Sequence, residues 1–458
     1  MLKNKTRKII LIIAGIFIVG TVLIIPIKIK VANDYIQKGN ENLKSNLYKS
    51  AFTNFEKASA LYPSNEKINI QLGKIYLLKE NLPLAEKEFS RAFGINKNSP
   101  GAYSELIKTL LFEKKLKEAE KYTKKASPKI LEDSNSQIQT ARVYADTGKT
   151  DDALNILKNN SEETKFYKGI FYFSKNDFES GNRLVEEINT KKDNIKNKVF
   201  TIKNALEKIK TSDNENYKKI MLAQSFNEID EPYLAELKLK EIISKNPDYR
   251  DALIFLGYSN LLKKDYQEAK NYLSRAIEKD NVYGLSYFFL GKVYLEENNI
   301  TLAENNFEKA IESGYKNKQS YKYLGNLKKK TENYSEAENS FRESLKYDQK
   351  DKEIILELLS ILILEQKLNE AEKIALDSEN NAFIGWVYLE KGDTEKSLDY
   401  LKKAQEKEPF SPFVCLKLGK LYQKQNENSL AKDYFKKTEE FDLTGKWAPV
   451  AQEKLKSI

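Results

Sequence analysis

Residues 250–280 read RDALIFLGYSNLLKKDYQEAKNYLSRAIEKD, and residues 284–314 read GLSYFFLGKVYLEENNITLAENNFEKAIESG. Set 34 positions apart, Gly257 matches Gly291, Ala269 matches Ala303 and Ala276 matches Ala310, while the charged residues between them differ freely. A period that fixes small and apolar side chains and leaves charges free marks a unit that buries its apolar face against copies of itself. The fold is therefore decided by how far this period extends.

It extends along most of the chain. A Gly or Ala is followed three residues later by Tyr or a similar residue, twelve later by Ala, and seven beyond that by another small residue. The frame appears at Gly39, Ala51 and Ala58, at Gly73, Tyr76, Ala85 and Ala92, and at Ala141, Tyr144 and Ala153. It returns at Gly325, Ala337 and Ser344, at Gly385, Tyr388, Ser397 and Ala404, and at Gly419, Tyr422 and Ala431. Leu256 and Gly257 line one side of a first helix, a polar bend follows near Lys264, and Ala269, Leu273 and Ala276 share one face of a second helix. Small residues at the crossing let the two axes approach to the short end of the 8–10 Å range. Pro63, Pro247 and Pro409 close their units by ending one helix before the next.

This pattern resembles the tetratricopeptide repeat. The residues that carry the resemblance are Leu72, Gly73, Tyr76, Ala85, Phe89 and Ala92 in one unit, and Tyr287, Leu290, Gly291, Tyr294, Ala303, Phe307 and Ala310 in another. Tyr35, Gly39, Ala51, Phe55, Ala58 and Pro63 carry it in the first unit, and the resemblance covers about residues 32–443. It implies an all-α, right-handed superhelical solenoid of helical hairpins. The expected organisation is a basic tail at 1–8, a membrane-spanning helix at 9–27 and a first repeat block at 32–189. A degenerate repeat or divider helix follows at 190–215, then a second block at 216–443 and a capping helix at 444–458. The frame shortens near LNILKNNSEE and EKIALDSENN, where second helices should be brief.

Composition narrows the chemistry. The chain has no histidine, which removes His-based acid–base, triad and metal chemistry. Its single cysteine, Cys415, can form neither an internal disulfide nor a thiolate cluster, and burial as a small hydrophobe is its expected role. No Gly-rich phosphate loop, G-x-S-x-G elbow or calcium loop occurs. The expectation is a protein that is not an enzyme, with no cofactor and no metal. The net charge of +10 comes almost wholly from lysines interleaved with acidic residues, with few arginines to read phosphates or bases. No nucleic-acid partner is expected.

The amino end differs from the rest. MLKNKTRK precedes IILIIAGIFIVGTVLIIPI, an uncharged run from Ile9 to Ile27. At helical rise it covers about 28 Å, near the ~30 Å hydrocarbon thickness, so a retained single-pass anchor is expected rather than a cleaved signal peptide. Lys3, Lys5, Arg7 and Lys8 before the run outnumber Lys28 and Lys30 after it. That bias places the N-terminus in the cytoplasm and the repeats outside the cell membrane. Abundant Lys, Asn, Ile and Glu point to an A/T-biased, bacterial genome.

The resemblance also implies a binding face. Members of the family bind extended peptides through the second, fifth, ninth and twelfth positions of successive first helices. Here those positions hold Asp251, Ile254, Tyr258 and Leu261, then Leu285, Phe288, Lys292 and Leu295, then Gln319, Lys322, Asn326 and Lys329, with Lys74 and Lys420 at other ninth positions. The candidate groove residues are Ile254, Tyr258, Phe288, Lys292, Lys322, Asn326 and Lys420. Aromatic area beside ammonium groups suits a peptide with apolar anchors and acidic character. Lys322 and Asn326 match half of a carboxylate clamp known in the family, but Glu353 and Glu357 stand where its remaining cations belong. The expected function is a membrane-tethered protein-interaction scaffold for a protein or peptide partner. A structural spacer or assembly factor, and an accessory subunit of an envelope enzyme complex, are the alternatives.

Overall fold

The computed structural model describes residues 25–458. It forms two compact units: Met1–Glu113, over its described part, with Thr394–Ile458, and Lys114–Asp393. Unit one begins with α1 (residues 25–44), α2 (Tyr48–Leu61), α3 (Glu66–Leu78), α4 (Leu82–Ile95) and α5 (Pro100–Phe112). Unit two carries α6 (Leu116–Thr123), α7 (Ser134–Asp146), α8 (Thr150–Ile156), α9 (Glu162–Ser174), α10 (Phe178–Glu186) and α11 (Asp193–Lys210). It continues with α12 (Glu215–Glu228), α13 (Pro232–Ile243), α14 (Arg250–Leu262), α15 (Tyr266–Lys279), α16 (Gly284–Glu296) and α17 (Ile300–Glu312). It is completed by α18 (Lys318–Lys330), α19 (Tyr334–Leu345), α20 (Lys352–Leu364), α21 (Leu368–Asp377) and α22 (Asn381–Lys391). The chain then adds α23 (Thr394–Lys407), α24 (Pro412–Lys424), α25 (Asn428–Phe441) and α26 (Ala448–Lys456) to unit one.

Three local devices recur in the hairpins. Side-chain caps start the helices: Asn81 accepts from the Leu84 N–H, Asp265 from Glu268 and Asn299 from Leu302. A left-handed residue then ends several first helices, at Glu80, Lys264, Asn298, Glu332 and Gln366, the last four of them 34 residues apart. In the α14–α15 bend, Lys264 donates its N–H to Leu261 O at 2.9 Å and Asp265 donates to Asn260 O at 2.9 Å, satisfying carbonyls the helix leaves open. The third device is the small residue of the frame. A methyl group at Gly73 would lie 2.6 Å from the Phe89 ring, at Gly325 2.7 Å from Phe341, and at Gly419 2.6 Å from Phe435. Leu273 plays the same part beneath Gly257. The ring of the second helix thus lies flat on bare backbone of the first, and Phe89, Phe341 and Phe435 are fully buried there.

This packing distinguishes glycines that are needed from one that is not. Gly73→Ala should destabilise unit one by about 1–3 kcal/mol through overpacking against Phe89. Gly94, near the end of α4, faces open space, so Gly94→Ala should stabilise by about 0.4–1 kcal/mol. Urea melts of the two variants check this, and a stabilising Gly73→Ala would contradict the packing account.

The second helices at the shortened places are brief, α8 at Thr150–Ile156 and α21 at Leu368–Asp377. In unit two α11 has no hairpin partner of its own. It buries Ile195, Val199, Ile202, Leu206 and Ile209 in a core shared with α9 and α12. After this odd helix, α13 comes to rest against α9 and against α7, the latter some ninety residues earlier in the chain.

A membrane-spanning helix at 9–27 is not upheld. Among the described residues no helix is long and apolar enough to cross a membrane. Residues 9–24 of that run lie outside the described residues. Residues 25–27 are the first described residues of α1, which goes on through exposed Lys28 and Lys30 to Ala32, Tyr35 and Ile36 in the core of the first hairpin. The described part of the run therefore belongs to an amphipathic hairpin helix. Membrane anchoring as a family trait, the tether, the cytoplasmic N-terminus, the single-pass location with repeats outside the membrane, the membrane as partner and the envelope-complex setting all depended on that helix and are withdrawn with it. Among the described residues the expected all-α architecture of helical hairpins stands.

Candidate functional site

First helices of neighbouring hairpins touch one another, α12 with α14 and α14 with α16 in unit two, and α3 with α5 in unit one. They build continuous faces on which ninth-position side chains recur. In unit two, the ring of Tyr258 on α14 stacks on Phe289 of α16 at 4.4 Å between centroids, with 14° between planes. The Lys292 ammonium lies over the same Tyr258 ring at 5.2 Å. Burial depresses the Lys292 pKa, and Glu296 opposes the shift only partly. Among the described residues Lys292 has no carboxylate within ion-pair distance. Burial likewise raises the Tyr258 pKa, helped by Glu228.

The other sequence-expected residues fall into three groups. Ile254 is fully buried and Phe288 nearly so. Phe288 packs edge-on against Phe307 at 5.7 Å and tilted against Tyr315 at 5.1 Å, so both residues serve the core. Lys322 reaches the face but is bound to Glu353 at 2.5 Å, and Lys329 is bound to Glu357 at 2.6 Å. Glu353 and Glu357, expected to repel a carboxylate, thus neutralise the neighbouring lysines directly. Asn326 is half-buried on α18 between them. Lys420 is on α24 and belongs to unit one, so it takes no part in the unit-two face. Cys415 is buried and its thiol is pushed up to about 11 by that burial.

Two features escaped the sequence reading. The first is a charge cluster in unit two where α13 meets α7. Arg142 Nη2 lies 2.9 Å from Glu231 Oε1, with side-chain exposures of 7 % and 2 %, and the guanidinium is 5.5 Å from the Tyr167 ring. Burial works against the Arg142 charge, but Glu231, Tyr167 and the nearby aspartates together outweigh it and raise its pKa. Lys114 pairs with Asp230 at 2.7 Å. Asp146 Oδ1 is sealed from solvent without a hydrogen-bond partner, and burial, reinforced by Glu231, pushes its pKa well up. Lys238 of α13, wholly buried, donates to Asn176 at 2.9 Å and to Glu241 at 2.6 Å.

The second is a cleft of about 740 Å³ in unit one, lined by Leu43, Lys74, Leu78, Glu105, Lys108 and Phe112 among others. The repetition of Leu78 and Phe112 at the 34-residue period, as apolar residues just past the last core position, was the available signal.

Among the described residues no group of three or more His, Cys, Asp or Glu is placed to hold a metal ion.

The tetratricopeptide repeat model matches residues 251–281, 285–313, 323–351 and 378–409. No curated protein matches the chain. Among solved structures, the Cut9–Hcn1 hetero-tetramer of the APC/C is 14% identical with a TM-score of 0.40, covering 95% of this chain and 99% of that one. Yeast Tom70 is 15% identical with a TM-score of 0.35, covering 93% and 95%. A tetratricopeptide repeat protein from Parabacteroides merdae is 20% identical with a TM-score of 0.38, covering 53% and 98%. Over the four matched stretches, hairpin packing and family model agree: these segments are similar to tetratricopeptide repeats.

Proposed function

We propose that the protein is a scaffold whose unit two binds an acidic, aromatic- or aliphatic-bearing peptide segment of a partner protein along the α14–α16–α18 face. Tyr258, backed by buried Phe289 stacked beneath it, offers a ring, and Lys292 is the charge anchor. The observation that carries this reading is the state of Lys292. It is half-buried, held over a tyrosine ring, and lacks a carboxylate partner among the described residues, whereas Lys322 and Lys329 next to it are already paired. A desolvated ammonium gains most from an incoming carboxylate.

A displayed library of acidic and neutral peptides selected on the full chain tests the reading. Enriched sequences should carry Asp or Glu near an apolar residue. Lys292→Glu should weaken their binding by at least about tenfold, and Lys322→Glu by much less, because Glu353 already neutralises Lys322. Enrichment that ignores Lys292, or no enrichment at all, would leave the spacer reading, which the paired lysines of α18 favour.

A further inference from the structure

Unit one is built from two stretches of chain, the described part of Met1–Glu113 and Thr394–Ile458, which unit two separates in sequence. They meet where α2, the second helix of the first hairpin, packs on α25, the second helix of the last. Charged groups hold this contact. Lys49 Nζ lies 2.8 Å from Glu439 Oε2. Ser50, 390 positions before Glu440, donates its N–H to Glu440 Oε1 at 2.8 Å and its hydroxyl to Oε2 at 2.9 Å.

Two features set this joint apart from those between consecutive hairpins. The first is what Glu440 supplies. Helix α2 starts at Leu47 without a side-chain cap and with no acidic residue in its first turn, whereas α3, α4 and α5 are capped by Asn65, Asn81 and Ser99. An uncapped start leaves N–H groups unsatisfied and partial positive charge uncompensated. The Glu440 carboxylate meets both needs from a distant part of the chain. The second feature is the apolar packing, which stays on either side. The core of the first hairpin draws on Ala51, Phe55, Ala58, Ile68 and Leu72 and, among the described residues, takes none from α25. On α25, Tyr434 stacks on Tyr422 and Phe435 lies under Gly419, both within its own hairpin. Each segment therefore keeps its core when the joint parts.

From this combination we infer that unit one carries an electrostatic latch: Lys49, Ser50, Glu439 and Glu440 hold its two chain segments together and release them without unfolding either. The Lys49 side chain is half exposed, and such an ion pair gains little over hydration and is screened by salt. One carboxylate cap adds only modestly to it. Closure also creates a feature that neither segment has alone. A cleft of about 480 Å³ beside the latch has Tyr48, Tyr76 and Lys79 on one wall and Asp442, Thr444 and Gln452 on the other, so it exists only in the closed form. The latch does not rest on the unit-two peptide reading, since no residue is shared.

The test uses the full chain with spin labels attached through Ala60→Cys on α2 and Lys436→Cys on α25, both exposed positions, while buried Cys415 is shielded from the reagent. Pulsed electron resonance then reads the distance between them. The otherwise unchanged chain should give one dominant distance. Glu440→Lys should add a longer one and raise the ratio of open to closed molecules at least about fivefold, the effect of losing one helix cap. Lys49→Glu should act the same way, and Lys49→Glu combined with Glu439→Lys should recover most of the original distance. Salt at about 1 M should shift the unchanged chain toward the longer distance. Glu440→Ala should speed exchange of the Ser50 amide by a similar factor while the amides of α3 and α24 keep their protection, which separates opening from unfolding. Three outcomes overturn the inference: a distance unmoved by both Glu440→Lys and salt, no recovery with the charge swap, and loss of protection in α3 or α24 whenever the latch is broken.

Discussion

Arg142→Met should destabilise unit two by about 3–5 kcal/mol, the cost of leaving a buried carboxylate without its counter-charge. The residue left behind is Glu231, whose side chain is 2% exposed. Replacing both members, as in Arg142→Met with Glu231→Leu, should recover most of the loss, because two apolar groups of similar bulk avoid the desolvation that an ion pair only partly offsets. A double-mutant cycle by urea denaturation measures the coupling, and additive effects would show that α13 is not anchored by this pair.

Asp146 adds a pH signature to the same cluster. Its folded pKa is raised by burial and by Glu231, well above the usual carboxylate range. The folded state therefore binds the extra proton, and stability from this group, present at low pH, falls as pH rises from about 4 toward the folded value. Asp146→Asn should be more stable than the parent chain at neutral pH, with the difference shrinking toward pH 3. A constant difference across that range would remove Asp146 from the account.

Phe307→Ala should be comparably severe, at about 3–5 kcal/mol. Phe307 is fully buried, stacks on Tyr323 of the next hairpin at 5.1 Å with 10° between planes, and meets Phe288 edge-on. It also underlies Gly291, where a methyl group would come within 3.1 Å of the ring. One ring thus joins α16 to α17 and α17 to α18. Its loss opens a cavity that three helices would have to close together. Nearest-neighbour stacking makes the damage spread, since each hairpin relies on the next to cover its apolar face. Hydrogen exchange should show α16–α18 opening first, and damage confined to α17 would contradict the coupling.

Gly73 over Phe89 and Gly325 over Phe341 were legible as hairpin crossings because one contact recurs at one spacing, and a short-range contact leaves its mark in a short stretch of chain. The left-handed bends at Lys264, Asn298 and Glu332 were less visible, since those residues tolerate the conformation without advertising it as glycine would. Among the groove residues, positional carry-over identified Tyr258 and Lys292 on the face. It could not tell that Ile254 and Phe288 would turn into the core, or that Lys322 would be taken by Glu353. Those outcomes depend on which neighbour a side chain reaches across a helix boundary. The apolar run at 9–27 shows the opposite hazard, because hydrophobicity read alone could not show that residues 25–27 would share a helix with Ala32, Tyr35 and Ile36 of the first hairpin core.

The sequence by itself determined the local unit, two helices with a small residue against a ring, because that unit is closed by contacts within about 34 residues. Only the tertiary structure decided that the lone helix α11 would bring α13 back onto α7, burying Arg142 with Glu231. The physical reason is range. A contact across some ninety residues is fixed by the accumulated geometry of every hairpin between its ends, and no repeat position records that sum.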